Sequence, residues 1–397
     1  MSITGRAATS ADGGGGRGLV KALIVLAQPP TLEGNAPGRC AAALLRGLPL
    51  HGVDVQALAA RQFFADDSPV PDDLPVEVVD VRSQSKRRFE QLARLRRPRG
   101  ALVGPFSDRV RTLAPDYDVV HLQETETAWC DLGVERPSSL HMDFRVLRDR
   151  PVPAPWRHEF RFLAEYAAAE VVAARRHRFL VANSSRVADS LRRLNRKAEV
   201  VVVPLSLDPA AYGTAPLDGP PVAGIIGSGD WPPTASAIAR LVRRVWPLVR
   251  RDVPEARLLI AGRATGALAV PGAAALGIEF VGEVDSAAGF LSRLSLLLYP
   301  VERGSGMKVK VLEAMACGVP VVTTKDGAEG VAPTPGVVVR ASDEELARAA
   351  AEVLRDARAR TERGAASRAV FLERFAPEPA TAPLAELFVR MAERGTR

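Results

Sequence analysis

The residues best suited to chemistry lie close together in the segment 304–324. Glycines on both sides of Ser305 allow the backbone to turn tightly and to come close to a ligand, and the residues that follow favour a helix. The N-terminus of such a helix presents free N–H groups and a positive dipole, which suit an anion. Lys308 and Lys310 add positive charge, so this segment is predicted to bind a phosphate-like group.

The helix is apolar apart from its two lysines and Glu313, and ions on a buried helix are costly unless they are paired or face a wet cleft. Lys310 and Glu313 are spaced i, i+3 and could simply pair with each other. Alternatively, Glu313 accepts hydrogen bonds from ribose hydroxyls while the lysines and the loop amides hold a diphosphate. Gly318 and Pro320 then end the helix before a short apolar strand. This order predicts half of a doubly wound nucleotide site.

The composition is that of an α/β protein large enough for two or three domains: 397 residues, 47% hydrophobic and 25% charged. No apolar run approaches the ~18 residues needed to cross a bilayer. The glycine-rich segment 1–18 is predicted to be a disordered tail rather than a signal peptide. Three scattered cysteines without metal spacing favour reduced core thiols. These features predict a cytoplasmic protein.

The net charge of +7 raises the question of nucleic acid or an anionic membrane. Aromatic residues make up only 5% of the chain and are not interleaved with a basic strip, so no nucleic-acid partner is predicted. The segment 86–99 is strongly basic, with apolar residues at helical spacing. It predicts either a solvated helix face or a peripheral contact with the anionic inner face of a membrane.

Strands alternate with helices in both halves of the chain, which predicts parallel sheets in two domains. Residues 208–221 are rich in glycine and proline without periodicity and are predicted to link the domains. The predicted organisation is a tail (1–18), a first Rossmann-like domain (19–207), the linker (208–221), a second Rossmann-like domain with the nucleotide site (222–375) and a C-terminal helix that crosses back (376–397). A ligand would lie in the central cleft between the carboxyl ends of the two sheets.

The sequence resembles the retaining glycosyltransferases of the GT-B fold, the group 1 (family 4-like) enzymes. The resemblance is strongest from Ala223 onward and weaker in the first half. It rests on AGIIGSGDWPPTASA, VPEARLLIAGR, IEFVGEV, LYPVERGSGMKVKVLEAMACGVPVVTT and GAEG, with NSSRVADSL and VVPLSLD as weaker markers. The fold it implies is α/β, with two doubly wound parallel-sheet domains that face a central cleft. The activity it implies is transfer of a sugar from a nucleotide sugar.

The resemblance also implies roles for residues of the central segment. The loop at Ser305, Gly306 and Met307 would hold the donor's diphosphate together with Lys308 or Lys310. Glu313 falls on the glutamate that holds the ribose in this family. The family's other glutamate falls on Ser305, so the grip on the transferred sugar differs here, and Glu302 is the expected substitute.

Outside that segment, Gly227 and Gly229 resemble a phosphate-binding loop, with Arg263 in place of a basic residue usual there. His141, at the end of a predicted strand, resembles a histidine that lies beside the reacting sugar, although it could also be structural. Three residues of the first loop are expected to approach the donor or the acceptor: Gly34, Asn35 and Gly38.

The implied chemistry needs no cofactor besides the nucleotide sugar as co-substrate, and no metal is expected. Asp116 and Asp118 spell the Asp-x-Asp motif of metal-dependent transferases, but Asp118 leads directly into an apolar strand. The acceptor is expected to be a glycan, a glycolipid or a small natural product. The donor's base and sugar stay open.

Two alternatives remain at the level of sequence. The glycines Gly224, Gly227 and Gly229 after a strand could indicate a dehydrogenase or an epimerase, yet Pro232 delays the helix and the second strand ends at Gly262-Arg263 without the acidic residue of a dinucleotide site. A non-catalytic protein that binds nucleotide sugars would also account for the serine in place of the first glutamate.

Overall fold

A computed structural model describes residues 19–62, 68–81, 101–331 and 333–395. The strands form two sheets in which every pairing between named strands is parallel. The first has seven strands in the order β3-β2-β1-β4-β5-β6-β7: β1 Val20–Leu26, β2 Val53–Arg61, β3 Val76–Asp80, β4 Val119–Gln123, β5 Ser138–Met142, β6 Phe179–Ala182 and β7 Glu199–Val202. The second has six in the order β10-β9-β8-β11-β12-β13: β8 Val222–Ile226, β9 Arg257–Ala261, β10 Ile278–Gly282, β11 Leu296–Tyr299, β12 Val321–Thr323 and β13 Val337–Val339.

The part of the chain built on each sheet is called the first and the second domain below. The helices of the first domain are α1 Ala36–Gly47, α2 Pro105–Leu113, α3 Val146–Asp149, α4 His158–Arg176 and α5 Ser185–Leu194. Those that follow are α6 Pro232–Arg240, α7 Trp246–Asp252, α8 Ala287–Leu291, α9 Val309–Ala316, α10 Asp343–Arg355, α11 Ala357–Arg374 and α12 Pro377–Gly395. A π-helical turn, Leu241–Val245, joins α6 to α7, and short 3-10 helices lie at Leu48–His51, Ala114–Asp116, Thr125–Thr127, Pro209–Ala211, Thr265–Leu268 and Ala274–Leu276.

The central strands are buried on both faces, which is why their sequences are almost continuously apolar. In β1 the side chains from Ala22 to Leu26 are at most 1% exposed, and in β11 the side chains are similarly buried. Helices must therefore cover both faces of each sheet. The fold predicted from the sequence is confirmed: two doubly wound parallel-sheet domains.

The last helix returns to the first domain, as predicted. Leu384, Phe388 and Met391 of α12 are fully buried and share a core with Ile24 of β1. Within the segment 376–397 the sequence predicts a proline-rich break at 376–379 and a helix that begins at residue 381, but this start is wrong, because α12 begins at Pro377. Proline has no N–H to donate, but the first turn of a helix needs none, so the proline-rich break became a helix start.

The predicted domain bounds stay predictions; the first sheet ends at Val202 and the second begins at Val222. Within the described ranges, no helix has both the length and the apolar character needed to cross a membrane. The basic segment 86–99 lies outside the described residues.

Candidate active site

A cleft of about 990 Å³ separates the two domains at the carboxyl ends of their strands. Its walls come from residues that follow strands of both sheets, which is the usual place for a ligand in open α/β sheets. These residues include Gln28 after β1, Glu124 after β4, Asp143 and Phe144 after β5, Asn183 after β6, Gly227 and Ser228 after β8, and Arg263 after β9. Helix α9 adds Lys310 and Glu313 to the same cleft.

Lys310 points across the cleft wall of the second domain. Its Nζ donates to Thr234 Oγ1 at 3.0 Å and lies 4.6 Å from the centroid of the Tyr299 ring. Gly227 has a φ of +143°, which favours glycine, and a Cβ there would stand 2.9 Å from this Nζ. Burial, with a smaller contribution from Lys308, lowers the pKa of Lys310 to about 8. The ammonium is therefore poorly solvated and is suited to an incoming anion.

The loop before α9 is held by the first domain. The Ser305 N–H donates to Asp149 Oδ1 at 2.6 Å, and the Met307 N–H donates to Asn183 Oδ1 at 3.2 Å. Burial raises the pKa of Asp149, although Lys308 opposes this effect. The Ser305 N–H, which was expected to face a phosphate, thus donates its hydrogen bond to a carboxylate of the first domain instead.

Lys308 braces the same loop from within. Its Nζ donates to the carbonyl oxygens of Ser305 and Gly306 at 3.0 and 2.6 Å. Gly306 has a φ of +70°, and a side chain there would run into the carbonyl of Asp143. These contacts fix the shape of the loop, so Lys308 stabilises the loop beside the cleft.

Glu313 makes its contacts outside its own helix. Arg39 NH2 lies 2.5 Å from Glu313 Oε1, and the Tyr212 hydroxyl donates to the same oxygen at 3.1 Å. Burial would lower the pKa of Arg39, but Glu313 and Tyr212 outweigh it and leave that pKa raised. Glu313 is 3% exposed. The side chain of Glu313 is thus engaged from the first domain and from the predicted linker, while Lys310 bonds elsewhere, so the i, i+3 alternative does not describe either residue.

Two of the three residues predicted in the first loop line the cleft. Gly34 and Asn35 line the cleft, and Asn35 caps α1 by accepting the Gly38 N–H at 2.8 Å. Gly38 itself lies beneath the loop, where a Cβ would stand 3.0 Å from the Pro29 carbonyl oxygen. Gly38 therefore allows the chain to pack closely and does not line the cleft.

The structure places the remaining predicted residues at different distances from the cleft. Arg263 lines it and lies 3.3 Å from Asp230. Gly229 is packed against Ala264, whose carbonyl oxygen would stand 2.6 Å from a Cβ, and it is not a lining residue. Glu302 lies outside the cleft and pairs with Arg244 at 3.2 Å, so its geometry does not favour a role beside the sugar.

His141 is 3% exposed and does not line the cleft. Its Nε2 lies 3.1 Å from Asp143 Oδ1, and Asp143 does line the cleft. Burial would raise the pKa of Asp143, but His141 and Asn183 hold it below its ordinary value. His141 is thus one side chain away from a ligand, and Asp143 is the group that a ligand would meet.

Sequence reasoning missed a second carboxyl on this wall. Glu124 follows β4 with φ 73° and ψ 160°, a backbone conformation that is costly for any residue except glycine. Burial, followed by the neighbouring Glu126, raises its pKa well above the ordinary value. The Tyr166 hydroxyl donates to Glu126 at 2.9 Å. The position of these acids directly after a buried strand was the available signal.

A cluster around Arg186 joins the domains beside the central loop. Arg186 NH1 lies 2.7 Å from Asp326 Oδ1, and its NH2 donates to the Gly304 carbonyl at 2.9 Å. The same guanidinium bonds Glu329, which also accepts from Ser184 Oγ at 2.6 Å. Glu329 belongs to the GAEG turn noted in the sequence, and its partners lie far away in the chain.

Two facing parallel-sheet domains, a cleft at their carboxyl edges and a returning last helix define the GT-B fold. Solved structures agree: a complex of Anabaena HepE with UDP and glucose matches with a TM-score of 0.65 at 18% identity, over 92% of this chain and 99% of that one. Sucrose-phosphate synthase from Thermosynechococcus elongatus gives 0.70 at 14%, over 94% and 100%. WaaG, a glycosyltransferase involved in lipopolysaccharide biosynthesis, gives 0.57 at 15%, over 95% and 100%.

Residues 220–356 match the family described as "Glycosyl transferases group 1". The second domain is therefore a group 1 glycosyl transferase domain, which confirms the resemblance and the class of enzyme predicted from the sequence. The dehydrogenase or epimerase alternative is wrong. A search of curated protein sequences finds no match to this chain.

Proposed function

We propose that this protein transfers a sugar from a nucleotide sugar to a hydroxyl acceptor, with retention of anomeric configuration and without a metal. The observation that carries the proposal is the placement of Lys310 and Glu313 on one helix in the interdomain cleft. They are three residues apart, about 4.5 Å along the helix axis. That spacing suits a diphosphate at Lys310 and a ribose at Glu313.

The diphosphate is best placed between Lys310 and the loop after β8. Gly227 and Ser228 line the cleft there, Arg263 stands on the next loop, and the N-terminus of α6 follows at Pro232. A helix N-terminus and two cations favour an anion. As the sugar leaves, negative charge grows on this diphosphate, and each well-placed donor contributes roughly 3 kcal/mol to the transition state. The loop at Ser305 would join the site only if Asp149 were displaced.

Positive charge from side chains takes the place of a metal in this proposal. The Asp-x-Asp motif cannot help from its position, because Asp118 lies before β4 and accepts the backbone N–H of Lys21 at 2.8 Å. That is the amino edge of the sheet, opposite the cleft. Retention would follow from attack by the acceptor on the face from which the diphosphate leaves, with no covalent intermediate on the protein.

The acceptor would bind on the wall of the first domain. Glu124, Asp143 and Phe144 line this wall. The Asp143 carboxylate, whose pKa is held below its ordinary value, disfavours a carboxylate or a phosphate next to the reacting hydroxyl. A glycan, a glycolipid or a small natural product stays compatible, and a peripheral contact with anionic lipid through 86–99 stays a prediction.

A non-catalytic nucleotide-sugar-binding protein is the second candidate. Ser305 stands where the family's first glutamate is expected, and Asp149 holds its amide. This arrangement would bind a donor without turning it over.

The experiment is a thermal-shift and product-release screen of UDP-, GDP- and dTDP-sugars on the wild type, Glu313→Ala and Glu302→Ala. Glu302 is the control because it lies outside the cleft. A donor that stabilises the wild type and the control but not Glu313→Ala, with slow release of nucleoside diphosphate, supports the transferase. Stabilisation without release or transfer supports the binding protein. Binding that is indifferent to Glu313 overturns the site.

A further inference from the structure

Arg39 is a cation that the first domain extends into the cleft. It lies in the first turn of α1, and its guanidinium reaches Glu313 of the second domain at 2.5 Å while also donating to the Gly34 carbonyl. Its Nε is buried, and none of the described residues accepts a hydrogen bond from it. Among the described residues that line the cleft, Arg39 is the one cation from the first domain.

Glu313 cannot accept hydrogen bonds from a ribose on both of its oxygens and keep all its present contacts. One of its oxygens, Oε1, already takes the Arg39 guanidinium and the Tyr212 hydroxyl. A carboxylate oxygen offers about two acceptor sites, and both sites of Oε1 are filled, so a ribose whose two hydroxyls bridge both carboxylate oxygens has to replace a partner on Oε1. Arg39 is the partner that belongs to the opposite domain, and its side chain is 12% exposed.

Displacement of Arg39 from Glu313 leaves a poorly solvated cation in the cleft. An unpaired buried charge is strongly unfavourable, so the guanidinium needs another anion close by. The diphosphate arrives on the same ligand as the ribose. Lys310 marks its proposed position about 4.5 Å along α9 from Glu313, and a planar guanidinium can hold two phosphate oxygens at once.

We propose that Arg39 moves from Glu313 to the donor's diphosphate when the donor binds, so that the first domain supplies a cation to the leaving group. This inference rests on the proposed function, because it takes Glu313 as the ribose ligand. It has a consequence for ligand choice. A nucleoside has to break the Arg39–Glu313 pair without replacing it, whereas a nucleoside diphosphate replaces it.

The test compares two ligands on two variants. Calorimetry is run with UDP and with uridine, or with the equivalent pair for GDP or dTDP if the donor screen selects that base. Arg39→Met is expected to weaken the diphosphate at least tenfold and to tighten the nucleoside several-fold. Arg46→Ala is the control, because Arg46 lies on the same helix and pairs with Asp73 and Asp208 outside the cleft. It should change neither affinity.

Arg39→Lys is included so that the inference can still be tested if Arg39→Met does not fold. It keeps the charge but not the two-pronged contact, so it should lose several-fold in diphosphate affinity while the nucleoside changes little. Equal losses for both ligands in both variants, or no change in either, would overturn the inference and leave the proposed function intact. A wild type that binds neither UDP, GDP nor dTDP would overturn the proposed function as well.

Discussion

The lowered pKa of Lys310 predicts that donor binding weakens above pH 8. In the free protein the pKa is about 8, because burial disfavours the ammonium. A bound diphosphate adds negative charge beside it and raises that pKa. Binding therefore takes up a proton at pH values above 8. The affinity is nearly full at pH 7, one unit below the free-state pKa of about 8, and is lost as pH rises through that pKa.

The size of the effect follows from the charged fraction of this one side chain. With a pKa of about 8, roughly nine tenths of the Lys310 side chains are charged at pH 7 and roughly one tenth at pH 9. If only the charged form binds, the affinity for a nucleoside diphosphate falls about tenfold over this range, which is about 1.4 kcal/mol. The ligand's terminal phosphate adds little to the slope, because it titrates near pH 6.

Isothermal titration of the nucleoside diphosphate between pH 7 and pH 9 measures this slope directly. Lys310→Met should bind about as weakly at pH 7 as the wild type does at high pH, with a flat profile. Lys310→Arg should also be flat because arginine stays charged. Lys308 also lowers the pKa of Lys310, but the Lys308 Nζ donates hydrogen bonds to two loop carbonyls and is not assigned to the diphosphate here. A wild-type profile without slope, or an equal slope in Lys310→Arg, would refute the assignment of the diphosphate to Lys310.

Three stability predictions follow from the fold, each checked by urea unfolding. Glu124→Gly should stabilise the protein by about 1 kcal/mol, because it removes roughly 1–3 kcal/mol of backbone strain and adds a smaller entropic cost of glycine. Glu124→Ala should give no such gain, because alanine keeps the strain. An equal gain in both variants would contradict the strain argument. Arg186→Ala should cost about 2–4 kcal/mol because buried Glu329 keeps the Ser184 hydroxyl but loses its cation, and adding Glu329→Gln should recover part of the loss. Gly306→Ala should cost more than about 2 kcal/mol, because of its positive φ and the crowded space around it, whereas Gly266→Ala, which meets nothing within 4 Å, should stay within about 0.5 kcal/mol.

Most of the fold could be predicted from the sequence because buried parallel strands appear in it as short, continuous apolar runs. Among the strands that the apolar runs of the sequence predict are 179–182, 222–226, 257–261 and 296–299. These four agree residue for residue with β6, β8, β9 and β11. Apolar runs between turn residues leave little choice of boundary there. The start of α12 was missed because proline reads as a break in a sequence but is compatible with the first turn of a helix.

The composition of the cleft was predictable only in part. The segment around Lys310 and Glu313 is marked by local features, namely a glycine loop and ions on an apolar helix. Arg39 carries no such mark, because its partner Glu313 is 274 residues away in the chain. The same is true of Asp149, whose contact with Ser305 spans 156 residues. Pairings of this length depend on how the domains meet, and spacing within a motif holds no information about them.

These long-range contacts also relate the donor site to the contact between the domains. Glu313 is held by Arg39, and the Ser305 amide is held by Asp149, so two groups predicted to face the donor are engaged by the first domain. A ligand that displaces Arg39 or Asp149 breaks an interdomain bond and has to supply another contact if the two domains are to stay joined at that point. A ribose alone offers only neutral hydroxyls, whereas a diphosphate offers charge to both Lys310 and Arg39. On the proposed site, the diphosphate is therefore the part of the donor that keeps the domains together while the acceptor binds opposite.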